Sequence, residues 1–278
     1  MPTIALTGVT GRLGGRVATR LVAAGSTPRL LVRDPARAPD LPDCDVAVAP
    51  YADGDAVRRA VHDVDVVLMV SGSESPDRVA HHRTFVDAAA DAGVGHIVYT
   101  SFVGAGPDAT FTLARDHGAT EEHIRASGRA WTFVRDNMYL DFFPLLAGTD
   151  GVIRGPAGDG RVAGVAQDDI ADVAVAVLHD PAAHAGRTYD LTGPQALSLH
   201  EVASALTAAT GRAVRYVPEK VDEAYASRAA YGAPGWQVAA WVTTYLAIAE
   251  GELAAVTDHV AAVAGHPPRS LDQVLGAS

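Results

Sequence analysis

The sequence predicts an α/β fold, a doubly wound parallel sheet joined to a smaller α/β C-terminal lobe, and three observations lead there. Short apolar runs alternate with longer helical patterns over the first 135 residues, the alternation that βα units lay down around a parallel sheet. A glycine-spaced turn joins the first apolar run to the first helical pattern. Beyond residue 150 the alternation gives way to a glycine-crowded stretch and then to Ala-rich helix.

Taken in order, Ile4–Leu6 reads as a strand, followed by a helix whose Leu13, Val17, Leu21 and Val22 recur at helical spacing and which closes near Gly25. Arg29–Val32 is the next strand. Val46–Val48 and residues 64–70 read as two further buried strands, separated by the helical pattern Ala56, Val57, Ala60, Val61. A helix over 76–92 precedes a strand at 96–100, and a helix ending at Ser127 and Gly128 precedes a sixth strand at 131–134. Gly151, Gly155, Gly158, Gly160 and Gly164 then favour loops and short strands. An apolar helix over 168–178 has acids in its first turn, where they oppose the helix dipole. Arg187–Leu191 offers one more strand, and Ser198 with Glu201 forms a capping box that starts another helix. The expected division is a nucleotide-binding domain over 1–150, to which the chain returns around 165–195, and a smaller substrate-binding lobe over 151–278.

Composition narrows the function classes. With 278 residues and 48% hydrophobic content the chain can bury a large core. Its 22 Lys and Arg against 33 Asp and Glu give a net charge of −11, which repels a nucleic-acid backbone, so no nucleic-acid partner is expected. The single cysteine, Cys44, excludes an intrachain disulfide framework and fits a reducing cytoplasm. No apolar run is long enough to span a membrane, and no membrane partner is expected. Oligomeric state is open, a homo-oligomer included.

The turn Gly8-x-x-Gly11-x-x-Gly14 sits between a strand and a helix, the context that gives a glycine fingerprint meaning. Glycines let the backbone approach a pyrophosphate, and the following helix N-terminus supplies unpaired N–H groups. Gly8, Thr10, Gly11, Arg12, Leu13 and Gly14 are therefore the expected phosphate-binding residues of a Rossmann domain, the alternative being an ordinary βα turn. About 20 residues further on, NAD enzymes place an acid on the ribose and NADP enzymes a base near the 2′-phosphate. Arg33 and Asp34 both stand there. Asp34 precedes Pro35 and is accounted for as a helix N-cap, which leaves Arg33, with Arg37 and Arg12 nearby, for the phosphate. NADPH is preferred over NADH.

The segments Thr7 to Gly14, Leu31 to Ala38, Tyr99-Thr100-Ser101 and Arg135 to Tyr139 resemble, in order, those of NmrA-like atypical short-chain dehydrogenases/reductases. The resemblance is especially close to the NAD(P)H:quinone oxidoreductase type 2 branch and extends to residues 155–161 and 265–271. It implies a Rossmann domain with a small substrate lobe, NADPH binding and reduction of a quinone-like acceptor. It also implies that Ser71, Gly72 and Ser73 line the cofactor, that Thr100 and Ser101 sit near the nicotinamide, and that Asn137, Met138 and Tyr139 wall the nicotinamide or acceptor.

Most short-chain reductases use Tyr-x-x-x-Lys, with the tyrosine as proton donor. Aligning the helix over 112–127 by Glu121 puts Leu113 at the tyrosine position and His117 at the lysine position. The usual acid is missing. His117, whose ordinary pKa is near neutrality, and Tyr139 are the two candidate acids, each with a bland alternative as a helix histidine or a pocket-shaping aromatic. A quinone can take hydride and then a proton from water, so the missing tyrosine fits a quinone better than a ketone. His81 and His82 are adjacent and lack metal-ligand spacing, and no metal site is expected. No Gly-x-Ser-x-Gly elbow follows a strand, which removes a hydrolase. Trp236, Trp241 and Tyr245 are expected as helix core, with an acceptor pocket as the alternative. Two functions follow: an NADPH-dependent oxidoreductase acting on a quinone-like or other conjugated acceptor, or a non-catalytic NAD(P)-binding redox sensor of the NmrA type.

Overall fold

A computed structural model describes residues 2–276. In chain order the elements are β1 (Ile4–Leu6), α1 (Arg12–Ala23), β2 (Arg29–Val32), β3 (Val46–Val48), α2 (Gly54–Ala60), β4 (Val66–Met69), α3 (Arg78–Asp91), β5 (His96–Phe102), α4 (Thr112–Ala126) and β6 (Ala130–Asp136). There follow α5 (Phe143–Leu146), β7 (Val152–Gly155), β8 (Arg161–Val162), α6 (Gln167–His179), β9 (Arg187–Leu191), β10 (Leu197–Ser198) and α7 (Leu199–Thr210). The chain closes with β11 (Arg215–Pro218), α8 (Val221–Arg228), α9 (Gly235–Ala249), α10 (His259–Ala264) and α11 (Leu271–Gly276).

Seven strands form one sheet in the order β3-β2-β1-β4-β5-β6-β9. β1 pairs in parallel with both β2 and β4, so the chain direction across the sheet reverses between β1 and β4, where doubly wound sheets bind ligands. β4 is buried along its whole length, as its unbroken Val-Val-Leu-Met run requires. β3 was expected to be buried but is the edge strand, and Val46 and Val48 remain 44% and 46% exposed. Asp34 caps a one-turn helix at Pro35–Arg37 by accepting from Ala36 N–H at 3.0 Å, and Ser198 with Glu201 forms the expected capping box.

The chain divides into two compact units. The first runs to Ser101 and adds Asp116–Arg135 and Asp168–Tyr189; the second takes Phe102–Arg115, Asp136–Gln167 and the chain from Asp190. The expected boundary at 150 is therefore corrected: residues 102–115 and 136–150 belong to the second unit. Their apolar side chains explain it, since Val103, Leu140 and Phe143 join Ile153, Val202 and Ile248 in one core. The first unit has its own core, in which Val67, Met69, Ile97 and Tyr99 of the sheet meet Val57, Phe85 and Ile124 of the helices. Within it, α1 turns Leu13, Val17, Ala18 and Leu21 inward and presents Arg16 and Arg20 to α6. Arg16 Nε lies 3.0 Å from Asp168 Oδ1, and Arg20 reaches the same oxygen at 2.6 Å and Asp172 Oδ1 at 2.7 Å. The acids of the first turns of α6 thus anchor α1 besides opposing their own helix dipole.

α1 can start where it does only because its third residue has no side chain. A Cβ on Gly14 would lie 2.3 Å from the carbonyl oxygen of Gly8 and 2.4 Å from its carbon. Gly14→Ala is expected to lower stability by about 1–3 kcal/mol, as overpacked sites do, read from urea unfolding; an unchanged midpoint would show that the turn can relax.

Candidate functional site

The turn after β1 is built from backbone. Gly8 has φ +68°, and a Cβ there would stand 2.7 Å from Val70 Cβ at the end of β4. Gly11 N–H donates to Gly8 O at 2.9 Å and closes the turn, and Gly11 caps α1 with no side-chain acceptor. The first-turn amides of α1 therefore have no capping side chain, an arrangement that suits an anion.

Within the first unit, a cavity of about 620 Å³ opens over this turn at the carboxyl ends of β1, β2 and β4. It gathers seven of the sequence-predicted residues: Gly8, Thr10, Gly11, Arg33, Ser71, Gly72 and Ser73. Arg37 joins Arg33 on its rim, and both are exposed. Asp34 is committed to its cap. Tyr51, just beyond β3, forms another part of the wall and donates to Val70 O at 2.6 Å. It was not singled out from sequence, although its place after a strand end is the signal that would have found it.

Other expected ligand residues do not line this cavity. Arg12 is exposed on the first turn of α1, Leu13 is buried in the core, and Gly14 provides the close approach described above. Thr100 is buried and its Oγ1 accepts from Ser71 N–H at 2.8 Å, so it holds the loop that lines the cavity. Ser101 is buried too, and it donates its hydroxyl to Glu121 Oε1 at 2.7 Å. That carboxylate also accepts from Arg135 at 2.7 Å on each oxygen, so Ser101 belongs to a buried ionic cluster.

His117 requires the main correction. It is 6% exposed, Arg78 Nη2 lies 3.0 Å from its Nε2, and Tyr99 Oη lies 2.9 Å from its Nδ1. A guanidinium only donates, so Nε2 accepts, and the ring proton sits on Nδ1 and goes to Tyr99. Burial, then the Arg78 charge, hold the imidazole well below its ordinary pKa. Neutral, enclosed and with both nitrogens engaged, His117 has no proton to deliver to a substrate. Spacing along α4 could place it opposite the sheet but could not reveal Arg78.

The same network clamps the Ser71–Ser73 loop from two sides. Arg78 Nε donates to Gly72 O at 3.0 Å, and Gly72 N–H donates to His82 Nε2 at 2.9 Å. His82 must then carry its proton on Nδ1, 2.9 Å from Thr120 Oγ1, and burial followed by Arg78 lowers its pKa to about 3. Arg78 and His82 line the cavity, and the sequence reading missed both as site residues.

The second unit holds the remaining candidates. Asn137 is buried, with its Nδ2 donating to Leu253 O at 3.1 Å and its Oδ1 accepting from Met138 N–H at 2.7 Å; it shapes the backbone. Met138 lines a separate cavity of about 720 Å³ together with Leu145, Tyr231, Trp241 and Tyr245. Trp241 and Tyr245, expected as core, pack against core clusters, Trp241 against that of Ala224, Val238 and Val242, and at the same time line this cavity. Tyr139 Oη lies 2.8 Å from Oδ2 of Asp136, a buried carboxyl at the end of β6 whose Oδ1 has no hydrogen-bond partner among the described residues. Burial pushes Asp136 up to about 8, against the Tyr139 hydrogen bond, which pulls it down.

A family model described as NAD(P)H-binding matches residues 8–181. The NAD(P)H azoreductase of Xenophilus azovorans is 35% identical over 272 residues, covering 96% of this chain and 94% of that protein. The crystal structure of NADPH-dependent quinone oxidoreductase QOR2 of Escherichia coli, complexed with NADPH, aligns with a TM-score of 0.92 at 31% identity and covers 99% of both chains. The triphenylmethane reductase of Citrobacter sp. aligns with a TM-score of 0.87 at 30% identity, covering 99% of this chain and 98% of that one. By these matches the chain belongs to the NAD(P)H-binding family, with quinone oxidoreductase 2 among its relatives as the sequence resemblance implied.

Proposed function

We propose that this chain is an NADPH-dependent oxidoreductase that transfers hydride to a flat, conjugated small molecule such as a quinone, an azo compound or a triarylmethane dye. The observation that carries this reading is the cavity over the glycine turn, where a side-chain-free cradle, an uncapped helix start and Arg33 with Arg37 converge at the reversal point of the sheet. When bound there, the reduced nicotinamide cofactor supplies the hydride. Gly8, Thr10 and Gly11 hold its pyrophosphate, Arg33 and Arg37 its 2′-phosphate, and Ser71, Gly72 and Ser73 its sugar. Thr100, Arg78 and His82 keep that last loop in place. The cavity of the second unit, where Met138, Trp241 and Tyr245 stand beside Asp150, Arg154 and Arg228, suits the acceptor, since flat conjugated rings gain most from aromatic walls. Of the two candidate acids, Tyr139 takes the role, because His117 is sealed. The relatives above are named for reductases acting on conjugated acceptors, which favours turnover over the regulatory reading. No described helix is long and apolar enough to cross a membrane, and with one cysteine in the chain we place it in the cytoplasm.

Oxidation of NADPH in the presence of a small panel of quinones, azo dyes and triarylmethane dyes tests the reading, and tight cofactor binding with no turnover would favour the sensor. Arg33→Ala should weaken NADPH binding about 10- to 100-fold, as loss of a charge-assisted contact does, and change NADH binding little; equal losses for both would remove Arg33 from the phosphate. His117→Asn should lower the melting temperature yet leave the pH dependence of turnover around neutrality as it is, because burial and the Arg78 charge hold the native ring's pKa well below its ordinary value. A limb that disappears in the variant would restore His117 as an acid.

A further inference from the structure

α9 carries a tyrosine, Tyr245, that two neighbours within the second unit hold in one place. A Cβ on Gly155 would lie 2.3 to 2.5 Å from three ring carbons of Tyr245, so the ring rests on bare backbone at the end of β7. The Arg228 guanidinium stands over the same ring, 5.4 Å from its centroid. Arg228 is itself fixed. It is 8% exposed, its Nη1 lies within 3.0 Å of Glu219 Oε2, Ala224 O and Ser227 Oγ, and its Nη2 donates to Arg154 O at 3.0 Å.

Tyr245 and Arg228 both line the cavity of about 720 Å³. Two other hydroxyls on its wall are spent on carbonyls of their own helices, Ser227 on Ala224 O at 3.2 Å and Thr244 on Ala240 O at 2.9 Å. The Tyr245 hydroxyl proton has no acceptor among the described residues, and Arg228 beside it cannot be one, because a guanidinium only donates. Burial, ahead of the opposing Arg228 charge, raises the phenol above its ordinary pKa, so it keeps that proton at neutral pH. A fixed tyrosine with an unspent proton beside a cation is the kind of donor that stabilises an oxygen gaining negative charge.

We propose that the Tyr245 hydroxyl hydrogen-bonds the acceptor oxygen on which negative charge develops, and so selects acceptors that carry such an oxygen. The proposal rests on the reductase reading above and names a residue that sets its acceptor preference. Two electrons and a hydrogen pass from NADPH to a quinone, leaving NADP+ and the hydroquinone monoanion, whose charge sits on oxygen. The Tyr245 O–H bond stays intact. Its hydrogen bond tightens as the oxygen changes from carbonyl to anion, so it favours the transition state over the bound substrate. The proton that completes the hydroquinone comes from water in a later step, not from Tyr245. A cationic triarylmethane dye with dialkylamino substituents is the contrast, because hydride goes to its central carbon, the leuco product is neutral and no oxygen gains charge.

The test compares full-length wild-type protein with Tyr245→Phe, which keeps a ring against Gly155 and Arg228 and removes only the hydroxyl. With NADPH, one benzoquinone and one such dye, the ratio of quinone to dye kcat/KM should fall about 10- to 100-fold, the worth of a hydrogen bond to a charged group, and the quinone loss should appear mainly in kcat. A second measurement needs no turnover. The 4-nitrophenolate anion, a stand-in for the hydroquinone monoanion, should bind the wild-type protein with NADP+ about 10- to 100-fold more tightly than it binds Tyr245→Phe, read from its visible absorption. An unchanged ratio, or nitrophenolate that binds both proteins equally or neither, overturns the proposal and leaves the reductase reading in place. Wild-type protein that oxidises NADPH with neither acceptor overturns that reading, and the proposal with it.

Discussion

The helix start of α1 lies against the carbonyl of Gly8, and the candidate site depends on that contact. Gly14 makes it possible by having no Cβ, and Gly8 makes its half by taking φ +68° beside Val70. With the two backbones in contact, the first turn of α1 points its uncapped amides at the space over β1, and the reversal of strand order between β1 and β4 keeps that space open. Arg16 and Arg20 then tie the outer face of α1 to Asp168 and Asp172 of α6. The anion-facing geometry is therefore set by packing and backbone, before any side chain meets a ligand.

Polar groups behind the cavity follow a second rule: the titratable ones are buried in their neutral form, the two histidines around the single charged guanidinium of Arg78. Arg78, His117, Tyr99, Thr120 and His82 form a hydrogen-bonded chain in which each histidine has one nitrogen accepting and one donating. Burial lowers both imidazoles, which removes them from acid chemistry at neutral pH and makes them good scaffolding for Gly72. Asp136 obeys the same rule from the acid side. Burial raises it, so a residue that would be a surface anion becomes a neutral carboxyl beside Tyr139.

The legible and illegible parts of the site divide along physical lines. Local features could be read: the glycine turn, the Asp34 and Ser198 caps, the strand sequence through β6 and the return of β9 to the sheet all rest on neighbours a few residues apart. The turn residues Gly8, Thr10 and Gly11 followed from the glycine spacing, Arg33 from its place at a strand end and the Ser71–Ser73 loop from the family resemblance, and the structure gathers them at one cavity. What could not be read depends on contacts across long stretches of chain. His117 looked available until Arg78, 39 residues away, occupied its Nε2. The hydrogen bond from Ser101 to Glu121, 20 residues on, was equally hidden, and helical spacing did not show that Trp241, packed against a core cluster, also lines a cavity. Val46 and Val48 failed for the opposite reason, since β-branched residues suit an edge strand as well as a central one.

A reductase of this kind passes hydride directly from NADPH to its conjugated acceptor. A triarylmethane dye tests it most directly, because the hydrogen gained sits on carbon and does not exchange with water. With NADPH fully deuterated at C4 of the nicotinamide, mass spectrometry of the leuco product should find one deuterium on the central carbon in every molecule formed. Leuco dye that forms without the label would contradict direct transfer.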